Sequence, residues 1–283
     1  MEYRKIRKIV TGMPAVDGAG VHLVRVLGHR DVEEFDPFLL LDAFDSTNSE
    51  DYLKGFPWHP HRGIETVTFL VTGDIEHGDS LGNKGSILDG GCQWMTAGSG
   101  IIHQEMPQAV PRMLGLQLWI NMPATQKMTE PKYGDLPRDK IPIAQEPGAR
   151  IAIVGGAFRG RPGAKKGEHV DATLLDIALE SGASIEIPLP PGDNTFVYIL
   201  DGSVSFDAPE ALAFQERRRA VLLSGGDAVR LAAAPSAPAR CILCSGAPLG
   251  EPIAWGGPIV MNTRAELEQA FRELDEGTFI QRG

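Results

Sequence analysis

Cysteine is scarce in this chain, and its scarcity limits the chemistry that thiols can supply. Cys92, Cys241 and Cys244 are the only three, too few for a disulfide framework. Cys241 and Cys244 are spaced like half of a redox or zinc site, but they lie in a strand-like run, where a spacing of three turns the two thiols to opposite faces. We expect buried, apolar thiols at both positions.

Long apolar runs and basic clusters are also missing. No uninterrupted apolar run approaches the roughly 20 residues of a membrane helix, and the basic N-terminal residues are not followed by the apolar core of a secretory signal. The formal net charge is −10, and the only basic run lies at 217–219. We therefore expect a cytoplasmic protein that binds no membrane and has no general surface for nucleic acid.

The chain does contain many short strand-like runs between glycine and proline turns. This pattern favours a sandwich or barrel, so the predicted fold class is all-β. Two of the runs end in comparable turns, at Gly73 and Gly202, which we interpret as hairpin turns in a duplicated domain. The runs cover residues 21–26, 66–71, 114–120, 151–154, 173–179, 195–200 and 239–244.

A stretch rich in proline and charge, from Pro123 to Pro147, separates the two halves. We place a first barrel at 1–130, a linker at 131–146 and a second barrel at 147–283.

One helix is predicted within the last of these regions, at 263–276. Thr263 and Glu266 form a capping box, and Gly277 ends the pattern. We interpret this helix as a strap that closes one of the barrels, because its apolar stripe must be buried. The stripe consists of Leu267, Ala270, Phe271 and Leu274.

Two glycine-flanked, strand-like segments about forty residues apart hold a concentration of metal-binding side chains. The first contains His59-Pro-His61 and the second His103-Gln-Glu105. In neighbouring antiparallel strands the residues of each pair point to one face, because alternate residues share a face. Imidazole and carboxylate suit a first-row divalent metal, and three or four protein ligands leave positions open for oxygen and a substrate. We predict a shared metal site inside a barrel.

The residues alone leave two candidates for a carboxylate ligand. Glu105 follows His103 by two positions, and Glu65 shares strand parity with His59 and His61.

Outside these segments the sequence offers no second site of this kind. The second half has Pro188-Leu-Pro-Pro at the corresponding place and no later His-x-Glu pair, so we expect metal only in the first half. The remaining histidines are predicted to be structural or exposed: His22, His29, His77 and His169.

These segments, together with several others, resemble the pirin family of the cupin superfamily over essentially the whole chain. The resemblance implies two stacked cupin (jelly-roll) barrels with a C-terminal helix, and one mononuclear Fe(II) in the N-terminal barrel, with other divalent first-row metals as alternatives. Carried over residue by residue, the metal ligands are His59, His61, His103 and Glu105. The matching motifs lie at 36–42, 55–63, 93–98, 103–105, 118–123 and 257–264.

The function that this resemblance implies is that of the quercetin 2,3-dioxygenases, to which such pirins are similar. These enzymes use O2 to cleave the central ring of a flavonol and release carbon monoxide, and Glu105 would be the catalytic base. The alternative is an iron-containing regulatory protein, whose redox state alters the surface offered to a transcription factor or a metabolic enzyme. The small aromatic substrate is expected among Phe56, Trp58, Val67, Phe69, Trp94 and Met95.

Overall fold

The computed structural model describes residues 2–207 and 213–281, and most of their regular structure is β. In chain order, the strands of the first half are β1 (Ile6–Thr11), β2 (Met13–Asp17), β3 (Val21–Leu27), β4 (Phe38–Ser46), β5 (Phe56–His61), β6 (Ile64–Thr72), β7 (Asp74–Asp79), β8 (Lys84–Leu88), β9 (Cys92–Thr96), β10 (Ile101–Pro107), β11 (Met113–Asn121) and β12 (Asp135–Leu136). Those of the second half are β13 (Ile143–Glu146), β14 (Ala149–Gly155), β15 (Ala157–Phe158), β16 (Arg161–Pro162), β17 (Thr173–Leu179), β18 (Ser184–Pro188), β19 (Asn194–Asp201), β20 (Ser203–Ser205), β21 (Phe214–Glu216), β22 (Arg219–Leu223), β23 (Ala228–Ala233), β24 (Ala239–Gly246), β25 (Ala254–Gly256) and β26 (Ile259–Met261). Every predicted strand-like run lies within one of these strands, which confirms the all-β prediction.

Helical structure is sparse in the described ranges. The α-helices are α1 (Val32–Phe35) and α2 (Arg264–Asp275), and short 3₁₀ turns occur at Ser49–Asp51, Ala124–Gln126 and Arg138–Lys140. Neither α-helix is long and apolar enough to cross a membrane.

The chain forms two compact units, each built on antiparallel β-sheets. The first barrel consists of Pro14–Val32, Phe38–Arg138 and the segment from Leu249 onward. The second barrel consists of the segment through Met13, Glu33–Pro37 and Asp139–Pro248.

The ends of the chain are therefore exchanged relative to the predicted boundaries of 1–130 and 147–283. Strand β1 pairs with β22 in the second barrel, whereas α2 and the β25–β26 hairpin belong to the first barrel. The segment predicted as a linker, 131–146, contains β12, which pairs with β9 of the first barrel, and β13, which pairs with β14 of the second. Sequence pattern did not indicate the exchange, because a strand has the same alternation whichever sheet it joins.

The second barrel encloses an apolar core. Its two main sheets have the strand orders β1-β22-β19-β24-β17-β14-β13 and β18-β23-β20-β21. Side chains of both sheets fill the space between them, among them Ile153, Ile187 and Val229. Cys241 belongs to this core, and Cys244 is also buried. Burial raises the pKa of both thiols, as expected for apolar packing.

The first barrel is only partly filled by apolar side chains. Its sheets have the orders β12-β9-β6-β11-β4-β3-β2 and β5-β10-β7-β8. An apolar cluster drawn from both sheets includes Val21, Leu70, Ile75 and Met113. Polar side chains on β2, β3, β4, β5 and β11 line a cavity of about 570 Å³ in the rest of the interior.

The turns at Gly73 and Gly202 are corners between sheets, so the prediction of hairpins there was wrong. Strands β6 and β7 belong to different sheets, as do β19 and β20. Gly73 has a φ of +149°, and a Cβ there would lie 2.6 Å from the sulfur of Met113. A glycine is therefore suited to this corner.

Helix α2 has the predicted capping box and packs against β26 of the first barrel. The side chain of Thr263 accepts a hydrogen bond from the Glu266 N–H, and the Glu266 carboxylate accepts one from the Thr263 N–H. Ala270 is fully buried, and Leu267 and Leu274 pack beside β26. The helix was predicted with the second half of the chain, but its apolar face contacts first-barrel residues.

Candidate metal centre

Strands β5 and β10 bring the three predicted histidine ligands together. The strands pair antiparallel, with His59 opposite His103 and His61 opposite Ile101. The side chains of His61 and His103 are 1% exposed, and that of His59 is partly buried. One ring nitrogen from each histidine lies within 4.8 Å of the other two. The predicted pairing of these strands is confirmed, and the three imidazoles form a cluster that can hold a metal ion.

Backbone carbonyls fix the tautomers of His59 and His61. Nδ1 of His59 donates to the carbonyl of Pro57 at 2.9 Å, and Nδ1 of His61 donates to the carbonyl of Pro258 at 3.0 Å. A carbonyl oxygen only accepts, so in the neutral form of each ring the proton is on Nδ1 and the lone pair is on Nε2. These two lone-pair nitrogens are 3.1 Å apart.

This arrangement fits a bound cation. When both rings are neutral, these two nitrogens at 3.1 Å have no proton to share, whereas a metal ion with imidazole bonds of about 2.0–2.1 Å can bind to both lone pairs. Nε2 of His103 is buried and has no hydrogen-bond partner in the described ranges. Burial and the neighbouring His59 lower the pKa of His61 to about 3, and burial with the nearby histidines also lowers that of His103. Both rings are thus neutral near pH 7, the form that binds metals.

The Glu105 carboxylate lies beside the histidine cluster but is held by other groups. It is 2% exposed, and the β5–β10 register shifts between His103 and Glu105. Its Oε1 accepts from the Thr68 hydroxyl at 2.9 Å, and its Oε2 accepts from Nε2 of Gln117 at 2.7 Å. The three-histidine cluster does not include its oxygens, so ligation by Glu105 stays a prediction.

Glu65, the other carboxylate candidate, is committed to a different set of contacts. It is fully buried on β6. Oε2 accepts from the indole N–H of Trp94 and Oε1 accepts from the hydroxyl of Thr96, both at 2.9 Å. These donors from β9 explain how a carboxylate is accommodated in the interior without a metal.

Aromatic rings surround the histidines and line the 570 Å³ cavity. The ring of Trp119 lies edge-on to His61 with centroids 5.0 Å apart, and Trp255 follows at 5.8 Å from Trp119. His29, which is exposed as the sequence interpretation expected, stacks on Trp255 at 3.9 Å. Phe56 forms another part of the wall. The volume and lining are typical of a site for a flat, apolar ligand.

Most of the predicted lining residues have other positions. Of the six, only Phe56 is among the lining residues of this cavity. Trp58 is 54% exposed and borders a separate surface pocket, and Trp94 is buried against Glu65.

A polar row on the inner face of the large sheet was missed at the sequence level. Gln117 on β11 is opposite Asp42 on β4, and Asp42 is opposite Arg25 on β3. All three line the cavity. The available signal was a polar residue inside an apolar strand, as in Leu39-Leu-Leu-Asp42, because buried polar groups require partners.

The C-terminal segment of the first barrel is tied to the chain just after His61. The Lys127 ammonium is buried and donates to the carbonyls of Gly63 and Val260 and to Oδ1 of Asn121. Because Pro258 of this segment accepts from His61, these bonds help to keep that imidazole in its orientation.

Arg62 makes a second set of contacts with the same segment. Its guanidinium donates to the carbonyls of Ser99 and Phe279, pairs with Glu273 at 2.7 Å and lies over the Phe279 ring.

Three imidazoles point into the aromatic-lined interior of an antiparallel β-barrel. This arrangement defines a cupin with a candidate metal centre. Residues 20–120 match the family model of pirin, and residues 174–280 match that of the pirin C-terminal cupin domain. The chain belongs to the pirin family.

Similar proteins cover nearly its full length. A pirin-like protein of Caulobacter vibrioides is 44% identical over 99% of this chain and 100% of that protein. A Pseudomonas aeruginosa protein named provisionally as a quercetin 2,3-dioxygenase is 41% identical over 97% of this chain and 98% of that protein. The crystal structure of a quercetin 2,3-dioxygenase from Acinetobacter baumannii is 31% identical, with a TM-score of 0.87 over 98% of each chain.

Proposed function

We propose that this protein is a metal-dependent dioxygenase that cleaves a flavonol such as quercetin and releases carbon monoxide. The observation that carries the proposal is the convergence of three imidazole nitrogens, within 4.8 Å of one another, beside an aromatic cavity of about 570 Å³. The quercetin dioxygenase names of two similar proteins support the same reaction.

In this proposal His59, His61 and His103 hold the metal, with Glu105 as a fourth ligand and as the catalytic base. Fe(II) in such a site would supply a Lewis acid for the substrate's hydroxyl oxygen and one-electron chemistry with O2. Other divalent first-row metals have the same preference for imidazole.

Glu105 takes the proton of the flavonol 3-hydroxyl on one carboxylate oxygen. Gln117 lines the cavity and donates to that carboxylate. Each oxygen of Glu105 accepts one hydrogen bond, and a carboxylate has about four lone-pair positions, so the proton can be taken without loss of the bond from Gln117. Thr68 donates to the other oxygen and helps to keep the side chain in place.

The aromatic walls orient the substrate and exclude water. Trp119, Trp255 and Phe56 present apolar ring surfaces to a planar ligand. Excluding water strengthens the electrostatic contacts of the site and protects a reactive carbanion-like substrate from protonation.

The experiment is O2 consumption with quercetin, read together with carbon monoxide release, on protein stripped of metal and reloaded anaerobically with Fe(II). We expect turnover that requires the metal and equal amounts of O2 consumed and carbon monoxide formed. Protein with one iron per chain and no turnover would contradict the proposal. That result would favour the regulatory alternative, to be tested by redox-dependent capture of a protein partner.

A further inference from the structure

One wall of the metal cavity carries a group of charges that the proposed reaction does not use. Arg25 donates through Nε to Oδ1 of Asp42 at 2.9 Å and through a terminal nitrogen to Oδ2 at 2.7 Å. The same terminal nitrogen pairs with Asp17 at 2.5 Å. All three residues line the cavity, and we call them the charged wall.

The charged wall lies on the same sheet face as the aromatic residues beside the metal centre. Trp119, whose ring contacts His61, is opposite Leu40 on β4. Asp42 lies two residues beyond Leu40 on β4, so Leu40 and Asp42 share a face of the sheet and are about 7 Å apart. Leu40 and Asp42 both line the cavity. A planar ligand with one end at the histidines and its long axis along β4 would reach Asp42.

The Asp42 carboxylate retains acceptor capacity toward the cavity. Each of its oxygens accepts one hydrogen bond from Arg25, whereas a carboxylate has about four lone-pair positions. Its side chain is only 8% exposed, so a ligand hydroxyl would meet an acceptor that has little competition from water. Hydrogen bonds to ionised, buried groups are stronger than those between neutral groups.

The charge balance of the wall limits which ligands it accepts. The carboxylates of Asp17 and Asp42 and the guanidinium of Arg25 together leave one net negative charge. Among the described residues that line the cavity, no other Asp, Glu, Lys or Arg occurs. A neutral group with O–H donors is favoured, whereas an anionic group is repelled.

We propose that the charged wall binds ring hydroxyls of the substrate other than the hydroxyl at the metal centre, which makes Asp42 and Arg25 specificity residues for polyhydroxylated, uncharged aromatic substrates. This inference rests on the proposed function for the orientation of the substrate. In this inference the charged wall selects one flavonol over another and takes no part in the bond cleavage.

The test is a series of flavonols that differ only in the hydroxyls of the pendant ring: quercetin with two, kaempferol with one and galangin with none. Binding is measured anaerobically on the metal-loaded protein by quenching of tryptophan fluorescence, since Trp119 and Trp255 line the cavity. We expect quercetin to bind at least about tenfold more tightly than galangin, because a site built around a hydroxyl rejects an analogue that lacks it. A flavonol with a sulfate on the pendant ring should bind more weakly than galangin.

A double variant, Arg25→Met with Asp42→Leu, separates the wall from other causes of this preference. Replacing both partners avoids a buried unpaired charge. The ratio of quercetin to galangin affinity should fall to near one. The matched control is Arg112→Met with Asp45→Leu, which removes an ion pair from β4 outside the cavity lining and should leave the ratio unchanged.

Equal affinities for the three flavonols in the wild-type protein, or a ratio that persists in the double variant, would overturn the inference. Tighter binding of the sulfated flavonol would also overturn it. Because binding is measured without O2, a failure of turnover contradicts the dioxygenase proposal and leaves the affinity ratio intact, so the two failures are distinguishable.

Discussion

The indole N–H of Trp94 donates to the carboxylate of Glu65 at 2.9 Å, inside the first barrel. With the bond from Thr96 to the other oxygen, this contact assigns Glu65 a structural role. Glu105, by contrast, is bonded to Gln117, which lines the cavity. The two carboxylates that the residues alone left as ligand candidates therefore have different surroundings, and their variants should differ in effect.

We expect Glu65→Gln to reduce the free energy of unfolding by about 1–3 kcal/mol, because an amide cannot accept from both donors. Metal content should stay at that of the wild type. Glu105→Gln should retain metal and lose most turnover, because the amide cannot take a proton. Denaturant unfolding, metal analysis and O2 uptake give the three readouts. Loss of metal from Glu65→Gln alone would reverse the assignment.

His61→Ala should lose both bound metal and turnover, because it removes one nitrogen of the three-histidine cluster. The matched control is His22→Ala, whose side chain is 64% exposed and outside the cluster. Metal content per chain, measured after dialysis against a weak chelator, should fall only in His61→Ala. Equal metal content in both variants would show that the ion is bound elsewhere.

Gln117→Leu should lower turnover by about tenfold or more while metal content is retained. The amide donates to Glu105 and accepts from the indole of Trp119 at 3.2 Å, so its loss leaves the base incorrectly oriented. The control is Gln269→Leu on the exposed face of α2. An unchanged kcat in Gln117→Leu would mean that Glu105 does not depend on this bond.

Lys127→Met should destabilise the protein by about 3 kcal/mol or more, since it leaves three buried oxygens without their donor. These oxygens belong to Gly63, Asn121 and Val260. Lys140→Met, at an exposed position, should change the free energy of unfolding by less than about 0.5 kcal/mol. Similar denaturation midpoints for the two variants would contradict the role given to Lys127.

Gly63→Ala should be more damaging than a change in backbone preference alone. Gly63 has a φ of +76°, and a Cβ there would lie 2.0 Å from the carbonyl oxygen of Val260. Gly250 has a φ of +64°, and no atom of the described residues lies within 4 Å of the position that a Cβ would take there. Gly250→Ala should therefore cost only about 1–2 kcal/mol. Comparing the thermal unfolding of the two variants separates the cost of steric overlap from the cost of backbone strain. Equal Tm values would contradict the close approach of the Val260 carbonyl to Gly63.

The sequence was sufficient to predict the strands, the capping box of α2 and the pairing of His59 with the His103 strand. These features depend on local alternation and on motifs of fixed spacing. The cavity lining was predicted poorly, because Trp94 and Trp119 have similar strand contexts and only the register decides which ring faces the metal centre. The exchange of chain ends between the barrels also depends on long-range pairing, which no local pattern encodes.

The most direct test of the central claim is the fate of isotopically labelled O2 during flavonol cleavage by the Fe(II)-loaded protein. A dioxygenase places both atoms of one O2 molecule in the products, so mass spectrometry should find the ring-opened product with two labelled oxygens and the carbon monoxide unlabelled. Product with one or no labelled oxygen, or label that enters from water, would contradict dioxygenase chemistry at this site.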